Sequence, residues 1–296
     1  PGRARLAAAP QDASLRDLFR GCADEDWLWA LTEGRSADAR LARLLPALPP
    51  EEFQKQFTGR SHRATFEQAI NAVNLFLSEA RAMGLDTARP GLKVVDVGCG
   101  WGGMAQTLLR DFEPSQVLGC DVMDQPLELC RSTGLPCAVR KIPFLPPTDL
   151  PDASADLVVA YSVFSHLSEP AHMAWIGELA RVLRPGGVLV VTTRPRAFIA
   201  YAESVRRSGD VPPHARGTAA SFVGVDAWNA RYDRGEFCFD GANNGQLWPD
   251  DYYGEAVVPE GFARANWSRF FAQVRFTPAE KHGLFDQSVI AGRKAE

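Results

Sequence analysis

The sequence predicts an α/β chain built on a doubly wound, mostly parallel sheet. Three observations carry that expectation. Between residues 92 and 193, short β-branched runs alternate with helical segments, the pattern of a parallel sheet with helices on its faces. The runs are apolar almost throughout, as strands buried on both faces must be. The first run ends in a glycine cluster, VVDVGCGWGG, at the strand end where such a sheet receives its ligand.

Residues 1–11 have a basic start and too short an apolar run for a signal peptide, and they predict a disordered tail. Pro1 in place of an initiator Met is expected to mark a trimmed or processed start. Residues 12–85 predict a helical cap. In ATFEQAINAVNLFLSEARAMGL the positions Phe66, Ile70, Val73, Leu77 and Ala80 follow helical spacing, and Gly84 supplies a stop. Ahead of it, LLPALPPEEF reads as a proline-punctuated joint. LKVVDV, QVLGCD, DLVVAY and GVLVVTT then read as buried strands. EPAHMAWIGELARVL is a helix with Pro170 near its start and Met173, Ile176, Leu179 and Leu183 on one face. RPGG breaks it and opens the next strand. A further helix is expected in RAFIAYAESVRRSG. From Val211 to Trp267 the aromatic, Gly-rich and Asp-rich chain shows no clear period, and this stretch, about 211–267, reads as an inserted substrate lid. FFAQVRFT and QSVIAGRK read as two closing strands.

At 296 residues and 46% hydrophobic content, the chain can bury one large core or two modest ones. A net charge of −4 leaves no basic excess to neutralise phosphates, which argues against a nucleic-acid partner. No run approaches the roughly 18 apolar residues of a membrane span. None of the six cysteines forms a CxxC pair, so they read as reduced thiols of a cytoplasmic protein. The five histidines show no metal-ligand spacing, and no metal is expected.

What does the glycine loop bind? Asp121 ends the second strand, 21 positions past Gly100, where an acid suits a ribose diol. That points to a nucleoside cofactor, either a dinucleotide or S-adenosylmethionine. The dinucleotide fingerprint is GxGxxG, with its pyrophosphate on a helix N-terminus. Here the spacing is Asp96-x-Gly98-x-Gly100-x-Gly102. A carboxylate in that place repels a pyrophosphate and attracts an ammonium.

At these residues the sequence resembles the class I S-adenosylmethionine-dependent methyltransferases. VVDVGCGWGG matches their first motif and LGCDVMD their ribose-binding acid. DASADLVVAYSVFSHL matches their fourth-strand motif, and ELARVLRPGGVLVVTT their helix and fifth strand. The resemblance implies a Rossmann-like methyltransferase domain over residues 86–296, its sheet ending in an antiparallel hairpin strand supplied by FFAQVRFT and QSVIAGRK. It also implies roles for matching positions. Asp96 is expected at the methionyl end, with Gly98, Cys99, Gly100, Trp101 and Gly102 around it. Asp121 takes the ribose hydroxyls, and Val122 and Met123 pack near the adenine. Trp101 either closes over the cofactor or caps the sheet. The family often has an acidic or small polar residue near the adenine amine, in the loop after the third strand. VRKIPFLPPTD places Arg140 and Lys141 there instead, leaving the backbone of Lys141 and Ile142 as the expected adenine contact.

A hydroxyl acceptor benefits from a base. His166, in SVFSHLSE after the fourth strand, is the candidate, against the reading that it only holds a loop. Tyr161, at the end of that strand, is expected to line the site. Residues 211–267 are rich in Trp, Tyr, Asn and Asp, a composition for stacking on sugar rings or for packing as a lid. This segment and the closing strands with Gln287 resemble methyltransferases of bacterial saccharide and polysaccharide biosynthesis. The NPPY-type motif of nucleobase N-methyltransferases is absent, with AYSVFSH in its place. Asp250, Asp251 and Glu255 suit either a divalent cation or a solvated acidic turn, and the turn is the expectation. The sequence therefore predicts O-methylation of a small molecule or a sugar hydroxyl. N- or carboxyl-methylation is the alternative. The rivals of other classes are a NAD-dependent oxidoreductase and a non-catalytic cofactor-binding module.

Overall fold

Strand β1, Val94–Val97, pairs in parallel with β2, Val117–Asp121, and with β4, Ala155–Ala160. β2 pairs in parallel with β3, Ala138–Lys141. With β5 (Leu183–Thr193), β8 (Gln273–Thr277) and β9 (Ser288–Arg293), these form a seven-stranded sheet of order β3-β2-β1-β4-β5-β9-β8. β9 runs antiparallel to both β5 and β8, so the sheet ends in the expected hairpin. This computed structural model describes residues 6, 8–212, 215–243, 249 and 251–296. Most of the expected tail at residues 1–11 lies outside them.

The chain divides into two compact units. The first holds residues 1–144 and 155–159. Its helical part includes α1, Leu15–Phe19, where Ser14 and Asp17 cap each other reciprocally. α2 is Asp24–Trp29, and α3, Arg35–Ala37, follows a π-helical turn at Ala30–Gly34. α4 is Ala39–Leu44, with Asp38 accepting from two of its backbone amides, and α5 is Glu51–Thr58. The long α6, His62–Ala82, buries Phe66, Ile70, Val73, Leu77 and Ala80, as their spacing requires. Gly84 stops the chain there at φ +85°. After the glycine loop comes α7, Gly103–Leu108, buried at every position. Trp27, fully buried, donates its indole N–H to Thr107 O at 3.1 Å and so ties the N-terminal helices to α7. α8, Asp124–Ser132, connects β2 to β3.

The second unit holds residues 145–154 and 160–296. Its first long helix, α9, is Glu169–Val182, with Pro170 in the first turn. The buried face differs from the expected one: His172 and Trp175 are inside with Ile176 and Leu179, while Met173 is only half-buried. β5 begins at Leu183, so RPGG belongs to the strand. α10, Ala197–Arg207, forms where the sequence placed it.

The stretch 211–267 is not a structureless loop. It contains α11 (Arg216–Ala220), α12 (Val225–Asp233) and α13 (Glu260–Trp267), and an antiparallel ribbon of β6 (Cys238–Asp240) and β7 (Glu255–Val257). These elements are too short to show a period, and their order comes from packed aromatics. Phe222 is fully buried against Phe198, with Trp228 and Tyr232 packed on the same cluster. Phe237 and Trp267 are buried around His172. These rings therefore fill a core, which for them favours the packed-lid alternative over stacking on sugar. Trp248 lies outside the described residues.

Candidate functional site

The first unit places the glycine loop at the ends of β1 and β2. Gly98 and Cys99 both donate backbone N–H groups to Cys120 O, at 2.7 and 3.0 Å, which folds the loop back over β2. Two glycines are required there. Gly100 sits at φ +52° with the Phe57 ring 3.6 Å from where a Cβ would stand. Gly102, at φ +85°, opens α7, and a Cβ there would come within 2.9 Å of Leu135. The left-handed φ disfavours a side chain at both positions, and at Gly102 the Leu135 methyl would also have to shift.

Two carboxylates face this loop with different partners. Asp121 accepts from Gly100 N through Oδ2 and from Met123 N through Oδ1, both at 2.9 Å. Burial pushes its pKa upward and these backbone bonds pull against that. Each carboxylate oxygen has a second lone pair, so Asp121 can still accept from a ligand's hydroxyls. Asp96 is only 1% exposed, and its Oδ2 has no hydrogen-bond partner among the described residues. Burial, helped by the nearby Asp121, pushes its pKa up to about 7. A buried, unpartnered carboxyl oxygen is costly unless a donor arrives.

The other expected cofactor residues fall as follows. Trp101 is buried, and its ring meets Phe66 of α6 edge-on at 6.0 Å, so it packs toward the N-terminal helices. The thiol of Cys99 is buried and held neutral well above its ordinary pKa, chiefly by its bond with Cys130. Val122 and Met123 are half-buried at the start of α8. Arg140 and Lys141 are the last residues of β3, not part of the loop beyond it. Lys141 turns its ammonium outward to Asp124 at 2.5 Å, while Ile142 is buried with its N–H on Asp121 O at 2.9 Å.

The second unit holds the remaining candidates. His166 Nδ1 lies 2.8 Å from Gly254 O, a carbonyl that can only accept, so the ring's N–H is on Nδ1 and Nε2 keeps its lone pair. Its ring stacks on Tyr253 at 4.9 Å. Glu255 Oε2 is 3.7 Å from the same Nδ1 and is held by Arg194 Nε at 2.9 Å. Desolvation lowers the pKa of His166 and Arg194 adds to that, while Glu255 and the Gly254 bond oppose it. Glu255 is 1% exposed inside β7, so it is neither a solvated turn residue nor free for a cation. Asp251 is exposed, and Asp250 lies outside the described residues. Tyr161 packs edge-on against Phe285 at 5.5 Å. Next to it Ser162 sits at φ +58°, donates its N–H to Thr192 Oγ1 at 2.7 Å and accepts from Gln287 Nε2 at 3.1 Å. A non-glycine residue in that region marks stored strain.

Arg194, Gly254 and Ser162 had no visible role in the sequence. Only their neighbourhood signalled them: Ser162 and His166 share the segment after β4, and Glu255 stood in a run of acids.

Comparison with known proteins finds the following likenesses. Residues 94–187 match the family model described as "Methyltransferase domain". A 2-methyl-6-phytyl-1,4-hydroquinone methyltransferase of Synechocystis is 36% identical over 36% of this chain and 34% of its own length. A fatty-acid O-methyltransferase of Mycolicibacterium smegmatis is 38% identical over 41% of this chain and 44% of its own length. The chain thus spans about a third to a half of the curated relatives it matches. The crystal structure of an S-adenosylmethionine-dependent methyltransferase from Mesorhizobium loti aligns over 73% of this chain and 96% of that one, at 18% identity and a TM-score of 0.46. The chain carries a class I S-adenosylmethionine-dependent methyltransferase domain of Rossmann-like fold. The cofactor of that class carries an ammonium, and the Oδ2 of Asp96, buried and unpartnered among the described residues, is an acceptor of the kind an ammonium needs.

Proposed function

We propose that the protein transfers a methyl group from S-adenosylmethionine to a hydroxyl of a small molecule or saccharide, with His166 as the general base. When bound, the cofactor supplies an electrophilic methyl group on a sulfonium. Asp96 would hold its ammonium, Asp121 its ribose hydroxyls, and the loop from Gly98 to Gly102 the backbone between them. On the same reading Val122, Met123 and the backbone of Lys141 and Ile142 would meet the adenine, and Tyr161 would line the site.

The observation that carries the base assignment is the bond from Nδ1 of His166 to Gly254 O, which fixes the tautomer and leaves Nε2 as a proton acceptor. Burial lowers its pKa, so the ring is neutral at physiological pH, as a base must be before the reaction. An alcohol is a weak acid, and its proton must leave as the methyl arrives. The two relatives named above are called methyltransferases of a hydroquinone and of a fatty acid. Those names favour small acceptors over nucleic acid, and the net charge of −4 agrees.

The test is labelled-methyl transfer to a panel of phenols, sugars and small acids. With the acceptor in hand, His166→Ala is expected to depress turnover by roughly 100-fold or more, with S-adenosylhomocysteine affinity unchanged. Turnover that survives would remove His166 from the chemistry and favour an acceptor, such as a carboxylate, that needs no base.

A further inference from the structure

Gln287 is the residue before β9, and the chemistry assigned to His166 makes no use of it. β9 runs antiparallel to β5 with Ser288 opposite Thr193, so Gln287 arrives at the carboxyl end of β5. Sheets of this kind receive their ligands at that edge. Gln287 is 4% exposed, and its side chain is bonded at one end only. Nε2 donates to Ser162 Oγ at 3.1 Å, while Oε1 is buried with no hydrogen-bond partner among the described residues. An amide oxygen taken out of water without a donor is costly.

Two other buried glutamines show what a structural amide does. Gln54 donates from Nε2 to Pro49 O at 2.9 Å and accepts the His62 N–H on Oε1 at 2.8 Å. Gln106 donates to Gly102 O at 3.3 Å and accepts from Arg35 Nη2 at 3.0 Å. Each uses both ends of its amide. Gln287 is held as firmly, yet its acceptor is left over. Its backbone carbonyl accepts from His282 Nε2 at 2.8 Å, and His282 Nδ1 accepts in turn from Leu284 N at 3.1 Å. Ser162, which the amide holds, stands at φ +58° with its own N–H on Thr192 Oγ1 at 2.7 Å. His166 follows four residues later in the same unit, its backbone N–H on Val163 O at 3.0 Å. The chain that delivers Gln287, residues 283–286, is half-buried or exposed throughout, and it is the part of this edge open to a ligand.

An amide oxygen is neutral and only accepts, so it takes a hydroxyl and offers nothing to a carboxylate. The hydroxyl to be methylated has a single proton, which leaves to His166 Nε2 as the methyl takes its place on oxygen. A donor for Gln287 is therefore a different hydroxyl.

We propose that Gln287 Oε1 accepts a hydrogen bond from a second hydroxyl of the methyl acceptor, so that Gln287 selects a diol or polyol. This assignment rests on the hydroxyl reading above and narrows its substrate class, and the test separates the two. Labelled-methyl transfer compares each parent with an analogue lacking one hydroxyl: catechol with phenol, and methyl glucoside with its monodeoxy analogues. Benzoate and aniline serve as acceptors without a hydroxyl. The wild-type protein is expected to favour a parent over its analogue by about 10-fold or more in kcat/KM, the effect of leaving a buried polar group unpaired. Gln287→Leu should erase that margin and leave S-adenosylhomocysteine affinity unchanged. Gln287→Glu, which keeps an acceptor and can take the Ser162 hydroxyl as donor, should keep part of it. Equal losses for parent and analogue in Gln287→Leu would make the residue structural and overturn the proposal. A wild-type protein that methylates parent and analogue alike would overturn it without any variant and leave the hydroxyl reading standing. Transfer to benzoate or aniline alone, or to none of these compounds, would end the hydroxyl reading and this proposal with it.

Discussion

Asp96 and Glu255 are two carboxylates at 1% exposure, one in each unit, and the chain treats them oppositely. Glu255 is gripped by Arg194 Nε at 2.9 Å and stands beside His166. Asp96 has an oxygen unpartnered among the described residues and a pKa raised to about 7. Glu255 is completed by a cation of its own chain; Asp96, on the proposed reading, is completed by the cation of a ligand. Burial alone therefore says little about role, and the partner decides it.

The comparison breaks most visibly at Glu255. Glu255→Ala removes one side of a buried ion pair and strands Arg194, which is expected to cost about 3–5 kcal/mol of stability. Chemical denaturation measures it. Asp96→Asn, equally buried, should cost nothing by the same assay and should raise Tm at pH 8, because no ionised group then has to stay buried. A loss at Asp96 comparable to that at Glu255 would mean the two carboxylates are alike after all.

Asp121 sharpens the contrast within the first unit. It is already bonded to Gly100 N and Met123 N, and it is expected to serve the ligand with its remaining lone pairs. Asp121→Ala should weaken S-adenosylhomocysteine binding by about 1.5–3 kcal/mol, the loss of charge-assisted bonds to two hydroxyls. Unchanged affinity in a folded variant would place the ribose elsewhere.

His172 supplies the opposite pH slope. It is fully buried, accepts from Trp267 Nε1 at 3.0 Å, and burial lowers its pKa to about 3. Unfolded, it takes a proton near pH 6.5. Between pH 6.5 and 3 the unfolded chain binds more protons at this residue, so its contribution to stability falls as pH drops, by at most about 1.4 kcal/mol per unit. Asp96 tilts the other way: its folded form holds a proton up to about 7 and its unfolded form only to about 3.8, so its contribution falls as pH rises across that window. His172→Phe should flatten the acid side of a stability–pH curve and leave the Asp96 slope in place.

The parts legible in the sequence were those with a strong local cause. Val94–Val97 and Val117–Asp121 are strands because both faces are covered, and the glycines after Val97 are needed for their φ values. The helix carrying Phe66 to Ala80 showed its face by period alone. His166 was visible as a type at a place, while its partners were not. Gly254 contributes a carbonyl from 88 residues away, and no side chain announces that. Glu255 read as one of several acids because its burial depends on Arg194, 61 residues earlier. Residues 211–267 read as a loop because their short helices are held by ring-on-ring contacts between distant residues, such as Phe198 with Phe222.

The central claim is that the glycine loop is completed by a cation at Asp96. Titration of S-adenosylhomocysteine across pH 5.5 to 8.5, in wild-type protein and in Asp96→Asn, tests it most directly. Binding an ammonium requires the ionised carboxylate, so wild-type affinity should rise with pH and level off above about 7, with a proton released per ligand bound on the acid side. Asp96→Asn should bind more weakly and show no such rise. A wild-type affinity that is flat across this range, or a variant that binds as tightly, would contradict the account.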